Sequence, residues 1–244
     1  MAKELYRIED DLGLIVVSQH GDKRVLSFDA GLQQSSVLMS KRYYLSHEYT
    51  QIMLLGLLFT EPKHISLLGL GGGGLAHCLS HFYPQLSIQV VEIRQAVIDV
   101  AYKWFELPRQ PNLSVICANA LRHMKDVKPG ATDLVLSDLY ESTVMSEVQA
   151  HRSFIESCYK ALSERGWLVF NFHDLPAEDS VVMKTIHELF VEVYVCDVFK
   201  GNWVMFCGKE VCEFSGPELN ARVKGLVKKV EMPLAYYFKQ LRRL

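Results

Sequence analysis

The sequence predicts an α/β protein: a Rossmann-like, seven-stranded sheet closed by an antiparallel hairpin, preceded by a small N-terminal β region. Three observations carry this expectation. Apolar runs of strand length at 65–70, 87–92, 113–117, 133–138 and 166–172 alternate with amphipathic segments of helix length, the pattern of parallel strands joined by right-handed crossovers. The first of these runs opens directly into Gly69-Leu70-Gly71-Gly72-Gly73-Gly74. The last two runs, 191–199 and 203–207, are separated only by a link containing Lys200, Gly201 and Asn202, which suits a hairpin and is too short for a crossover.

Taken in order, Leu14 to Val17 and Arg24 to Phe28 flank the polar stretch Gln19-His20-Gly21-Asp22, a hairpin signal that makes residues 1–40 a compact β region. From Leu45 to Phe59 the pattern turns helical and stops at Glu61-Pro62, since proline disfavours helix in the residue before it. Residues 1–60 are therefore expected to form the β region and a linking helix, and residues 61–244 the Rossmann-like catalytic domain. Within that domain, helices are expected over 96–105 and 153–162. Residues 216–244, rich in Lys and Arg, predict a terminal helix with one solvated face packed on the domain.

Composition narrows the function classes. Hydrophobic residues make up 49% of the chain, enough to bury a sizeable core and to argue against extended disorder. A net charge of −2 gives no support to a general nucleic-acid-binding role. The opening MAKELYRIEDD is charged where a signal peptide would be apolar, and the aliphatic stretch 52–59 is too short to cross a bilayer. Six scattered cysteines without CxxC spacing fit a reducing cytoplasm and disfavour a metal–thiolate site.

The glycine turn is the centre of the functional reading. A strand that runs into glycines and then a helix lets backbone approach a nucleotide closely and aims helix N–H groups at it. Gly69, Gly71 and Gly73 are the expected cradle. Glu92 ends the next strand, 21 residues beyond Gly71, where an acid accepts hydrogen bonds from ribose hydroxyls. The loop holds no Lys or Arg, which favours an adenosine compound without phosphates over NAD or ATP. After the third strand, Asn119 either addresses the adenine edge or caps the next helix. Asp138 ends the fourth strand and points into the crevice beyond the strand termini. His77 and His81 stand at a zinc-capable i, i+4 spacing, but a helix face explains them and no metal is expected. Asn171-Phe172-His173-Asp174, at the end of the fifth strand, borders the same region without an assigned role.

Together these residues resemble the spermidine synthase family and its class I methyltransferase-like relatives, across nearly the whole chain. Phe28-Asp29-Ala30-Gly31-Leu32-Gln33 looks like the family's Asp-Gly-x-x-Gln gating stretch, which implies a place for Gln33 near the nucleotide's ribose and thioether. His47-Glu48-Tyr49 is similar to a Tyr-His-Glu region with its order altered. Gly69 to Gly74 matches a Gly-Gly-Gly-Asp-Gly-Gly loop, Glu92 the ribose-binding acid, and Asn119-Ala120 an Asp-Gly pair at the adenine. Asp138 and Glu141 fall on the acids of an Asp-x-x-Asp-Pro motif. The resemblance implies a methyltransferase-type sheet and a homodimer. The activity it implies is aminopropyl transfer from decarboxylated S-adenosylmethionine to an amine such as putrescine, with Asp138 as base and Glu141 anchoring a second ammonium.

The departures bear on the donor. Gly72 replaces the loop's aspartate, which removes a charge that would repel the carboxylate of intact S-adenosylmethionine. Glu141 is one methylene longer than the family's acid, and Ser142, Ala30 and Asn119 replace a proline, a glycine and an aspartate. A methyltransferase using intact S-adenosylmethionine is therefore the second reading. A non-catalytic nucleotide-binding protein is the third.

Overall fold

The structure, a computed structural model, describes residues 2–28, 32–141, 144–145, 147–198 and 201–244. An antiparallel four-stranded sheet opens the chain: β1 (Lys3–Asp10), β2 (Gly13–His20), β3 (Lys23–Phe28) and β4 (Leu32–Leu38), in that order. Two short helices follow, α1 (Glu48–Met53) and α2 (Gly56–Phe59). The parallel elements then alternate: β5 (His64–Leu68), α3 (Gly74–Phe82), β6 (Ser87–Glu92), α4 (Gln95–Trp104), β7 (Leu113–Cys117), α5 (Ala120–Asp126) and β8 (Thr132–Ser137). A small hairpin, β9 (Tyr140–Glu141) and β10 (Val144–Met145), and a 3-10 turn (Glu147–Ala150) lead to α6 (Arg152–Ala161), β11 (Leu162–Phe172) and α7 (Val181–Leu189). The chain ends with β12 (Glu192–Val198), β13 (Asn202–Gly208), α8 (Gly216–Val230), α9 (Leu234–Phe238) and β14 (Arg242–Arg243).

The main sheet has the order β14-β12-β13-β11-β8-β5-β6-β7. From β7 to β11 every pairing is parallel, and β11–β13, β12–β13 and β12–β14 are antiparallel. The expected closing hairpin is thus present, and the two-residue β14 adds an eighth strand at the edge. The chain winds outward from β5 to β7 and then returns to β8 on the other side, so the loops after β5 and β8 flank the switch point where such sheets bind ligands.

Both faces of the sheet are covered. One carries Leu67, Val90, Leu134 and Val169 against α1 to α3 and α8, and the other carries Leu68, Val91, Val135 and Phe170 against α5 to α7. Helix α6 shows why these segments are helical: Phe154, Ile155, Cys158 and Ala161 are all buried on one stripe. Helix α4 is two-sided. Ile98 and Ala101 join the main core, whereas Val97 and Val100 pack with Ile15, Val17, Leu26 and Phe28 of the N-terminal sheet. That second stripe is what seats the small sheet beside the end of β6.

Two expectations are corrected. The single helix over 45–59 is broken at Leu54–Leu55 into α1 and α2. Gly56 permits this close packing, because a Cβ there would stand 2.9 Å from Val169 Cγ2 and 3.2 Å from Leu134 Cδ1. The terminal helix also divides: Glu231 adopts a left-handed φ of 56° after α8, Pro233 precedes α9, and the last residues form β14. Its packing on the domain is as expected, with Val223, Leu226 and Val230 buried and the Arg222 guanidinium donating to the carbonyls of Leu57, Leu58 and Thr60. Among the described residues no helix is long and apolar enough to cross a membrane.

Candidate active site

The glycine turn joins β5 to α3 through three left-handed residues, Gly69 (φ 94°), Gly71 (φ 54°) and Gly73 (φ 80°), conformations that side chains resist. Space is restricted as well. A Cβ on Gly69 would run into the Asp138 carbonyl, and one on Gly73 would meet Leu107 Cδ1 at 2.7 Å. The turn is therefore held between the end of β8 and the loop after α4, with bare backbone facing the crevice. Gly72 is buried, and a Cβ there would lie 3.0 Å from the Phe105 ring and 3.1 Å from Ser35 Oγ.

Glu92, at the end of β6, accepts the Leu70 N–H on Oε2 at 3.1 Å and the Arg94 N–H on Oε1 at 2.9 Å. Burial raises its pKa, against the pull of these N–H groups and of the Arg94 charge. The carboxylate is thereby fixed in the turn with lone pairs left for a ligand's hydroxyls. Arg94, only 6% exposed, holds the N-terminal sheet to this corner. It donates to both oxygens of Asp10 (3.0 and 2.7 Å) and to the Gly13 carbonyl (2.7 Å), and its guanidinium lies 4.6 Å from the centre of the Phe28 ring.

Asp138 stands directly after β8, its backbone N–H bonded to the Leu68 carbonyl at 2.8 Å. It keeps some surface open to the cavity, yet the carboxyl sits deep at the floor, and burial pushes its pKa up to about 6. Two side-chain donors oppose that rise: Asn171 Nδ2, at 2.8 Å from Oδ1, and Tyr49. His47, the N-cap of α1, has Nε2 3.0 Å from Ser36 Oγ. Burial, aided by the charge of Lys23, lowers its pKa to about 4, so the ring is neutral at pH 7.

One cavity of about 280 Å³ unites these groups. Of the residues expected from sequence, Gly69, Gly71, Glu92, Asn119, Ala120 and Asp138 all line it, and Ser36, His47 and Tyr49 line it as well. Gly73 supports the turn from behind as the N-cap of α3. Asn119 caps α5, its Oδ1 accepting the Arg122 N–H at 3.1 Å, and the residue also borders the cavity. The side chains of Gln33 and Glu141 lie outside the described residues, as do Asp29, Ala30, Gly31 and Ser142. His77 and His81 do not converge. His77 Nε2 is 2.9 Å from the Phe105 carbonyl, and His81 stacks on Tyr43 with ring centres 4.1 Å apart. Among the described residues no group of three or more potential metal ligands is assembled.

Sequence reasoning left Tyr49 and Asn171 without roles at Asp138. Neither carries a local signal, because each meets the acid only through tertiary packing. An Asn in an otherwise apolar strand, Val169-Phe170-Asn171-Phe172, was the one available hint.

Comparison with known proteins agrees with this architecture. The spermine/spermidine synthase domain matches residues 46–206. The polyamine aminopropyltransferase of Chromobacterium violaceum is 30% identical over 160 residues, which cover 65% of this chain and 61% of that protein. The eEF1A lysine and N-terminal methyltransferase of Xenopus laevis is 26% identical over 225 residues, covering 83% of this chain and 32% of that protein. The chain thus spans about three fifths of the first relative's length and about a third of the second's. In fold it is similar to a probable spermidine synthase from Corynebacterium glutamicum, with a TM-score of 0.77 at 20% identity over 93% of this chain and 87% of that one. With a family match extending over well more than half its residues, the chain belongs to the spermine/spermidine synthase domain family.

Proposed function

We propose that this chain is a transferase that moves the aminopropyl group of decarboxylated S-adenosylmethionine onto a small amine such as putrescine. The observation that supports the reading is one cavity lined both by the glycine turn with Glu92 and by the Asp138 carboxylate, which burial desolvates. In this reading the backbone of Gly69 and Gly71 faces the donor's nucleoside and Gly73 fixes the turn. Glu92 accepts the ribose hydroxyls. Asn119 and Ala120 border the adenine, and Gln33 lies by the ribose and thioether.

An alkylamine is protonated at neutral pH, with a pKa of roughly 10, and must lose that proton before attack. Asp138 attracts the ammonium, takes the proton, and frees the nitrogen lone pair. The nitrogen then attacks the carbon next to the sulfonium. A C–N bond forms, the C–S bond breaks with its electrons returning to sulfur, and methylthioadenosine leaves. Tyr49 orients the carboxylate, and neutral His47 adds no charge to repel the cation. Glu141 anchors the second ammonium of a diamine. Alignment within attack distance supplies much of the acceleration.

Gly72 supports a second reading, methyl transfer from intact S-adenosylmethionine. The space where the family's aspartate would project is taken by Phe105 and Ser35, so the donor's amino-acid end meets no carboxylate there. The relative from Xenopus laevis, named as a methyltransferase, gives the same reading a precedent among the proteins this chain is similar to. Calorimetric titration with the two donors, methylthioadenosine and S-adenosylhomocysteine separates the readings. Preference for the decarboxylated donor and methylthioadenosine supports aminopropyl transfer, and preference for the carboxylated pair transfers the protein to methyl chemistry. Absence of binding by all four ends both, and binding without turnover of any amine or methyl acceptor leaves a non-catalytic nucleotide-binding protein.

A further inference from the structure

Asn171 is fully buried near the end of β11, between the last parallel strand, β8, and the first antiparallel one, β13. Its Nδ2 donates to Asp138 Oδ1 at 2.8 Å, and its Oδ1 accepts from Asn202 Nδ2 at 2.9 Å. The second bond reinforces the first. An Asn amide can turn either its oxygen or its nitrogen toward a neighbour. With Asn202 presenting a donor, the Asn171 oxygen is drawn to Asn202 and its NH2 faces the acid. The strand end is fixed too: Gln149 Nε2 donates to the Asn171 and Leu139 carbonyls, both at 3.3 Å, while Ser137 Oγ donates to Gln149 Oε1 at 2.6 Å. The two amide donors of this relay run in one direction and end on the carboxylate, an arrangement that favours its charged form and stops rotation about Cβ–Cγ.

We propose that Asn171 is a positioning residue that aims the Asp138 carboxylate and keeps it ionised, and that Asn202, on the closing hairpin, sets the direction of the Asn171 amide. The role adds to the transferase reading and rests on it only in taking Asp138 as the base. It gives the antiparallel hairpin a part in the chemistry, because the strand that reverses the sheet carries the group that orients the base's partner.

Other ionisable groups lining the same cavity are Tyr49 and His47 at α1, Glu92 from β6 and Arg94 at the start of α4. None of the three charged or chargeable ones, His47, Glu92 and Arg94, is among the causes of the Asp138 shift, which are burial, Asn171 and Tyr49.

The test is a titration of the carbon-13-labelled Asp138 carboxyl in the full chain, its signal assigned by loss in Asp138→Asn. It is run for the native protein, Asn171→Leu, Asn202→Ala and the double variant, beside the pH dependence of kcat. Asn171→Leu is expected to raise the carboxyl midpoint by about one pH unit, as loss of a hydrogen bond to a charged group implies. Asn202→Ala gives a smaller rise in the same direction and lowers kcat without changing donor Kd. The double variant goes no further than Asn171→Leu. Asn202 is half-buried at a strand start, so its variant keeps the test available if Asn171→Leu does not fold. A carboxyl midpoint unmoved in Asn202→Ala and in whatever Asn171→Leu protein folds overturns the proposal. A midpoint that moves while the acid limb of kcat stays still upholds the positioning and removes Asp138 as the base.

Discussion

Asp138→Asn is the perturbation that separates chemistry from stability. Burial raises the Asp138 pKa from 3.8 to about 6. Between those values the folded protein holds a proton that the unfolded chain has released, so stability falls as pH rises through the window. At ~1.4 kcal/mol per pH unit, ionised Asp138 costs the fold at most about 3 kcal/mol at pH 7. Asparagine has nearly the same shape and its carbonyl can still accept from Asn171, but it carries no charge. The variant is therefore expected to be more stable than the native protein at pH 7, with Tm higher on the order of 5 °C. The gain shrinks as pH falls and vanishes below about 4, where both chains are neutral at this position. Turnover is lost, because no base remains, while donor binding is retained. Differential scanning calorimetry at several pH values, with isothermal titration of the donor, checks each part. A variant that is less stable at pH 7, or that loses donor affinity as fully as activity, refutes the reasoning.

Other consequences are as direct. Gly72→Asp sets a Cβ 3.0 Å from the buried Phe105 ring and 3.1 Å from Ser35 Oγ, and is expected to cost about 1–3 kcal/mol in urea denaturation through overpacking. Arg94→Met leaves Asp10 and the Gly13 carbonyl without their shared donor, and is expected to cost about 3 kcal/mol in urea denaturation. His47 and His77 both have pKa values lowered from 6.5 to about 4 by burial. Because the unfolded chain takes up protons first, stability is lost as pH falls from 6.5 toward 4, opposite in sign to Asp138. His77→Gln is expected to flatten that acid limb in a pH series of thermal melts.

What was legible in the sequence is what repeats locally. The parallel strands could be read because the buried residues of β5, β6 and β8 fall in short, largely apolar runs, and α4 and α6 because their buried residues recur at helical spacing. The meeting of the glycine turn with Glu92 was legible because left-handed turns require glycine and because the acid that ends β6 lies at a fixed distance along the chain. The break between α1 and α2 was not. All of residues 50–60 are buried, so no polar face marks where the helix stops, and the residues on which Gly56 packs, Val169 and Leu134, are far away in sequence. The partners of Asp138 were hidden for the same reason. Asn171 and Tyr49 reach it from β11 and α1, and neither strand alternation nor helical spacing points to such meetings. Edge strand β14 is two residues long and has no pattern to read.

The contact between Gly69 and the Asp138 carbonyl has a consequence for how this protein could change. The cradle and the acid are spaced by two adjoining backbones, so no side chain is available there for mutation to lengthen or trim. In the proposed transferase, the reach from the donor's nucleoside to the base is therefore a property of the sheet itself. Diversification toward a new acceptor then falls to other cavity residues such as Ser36 and His47, of the N-terminal sheet and the start of the first helix. Those positions can be rebuilt without moving the ruler against which every acceptor is measured.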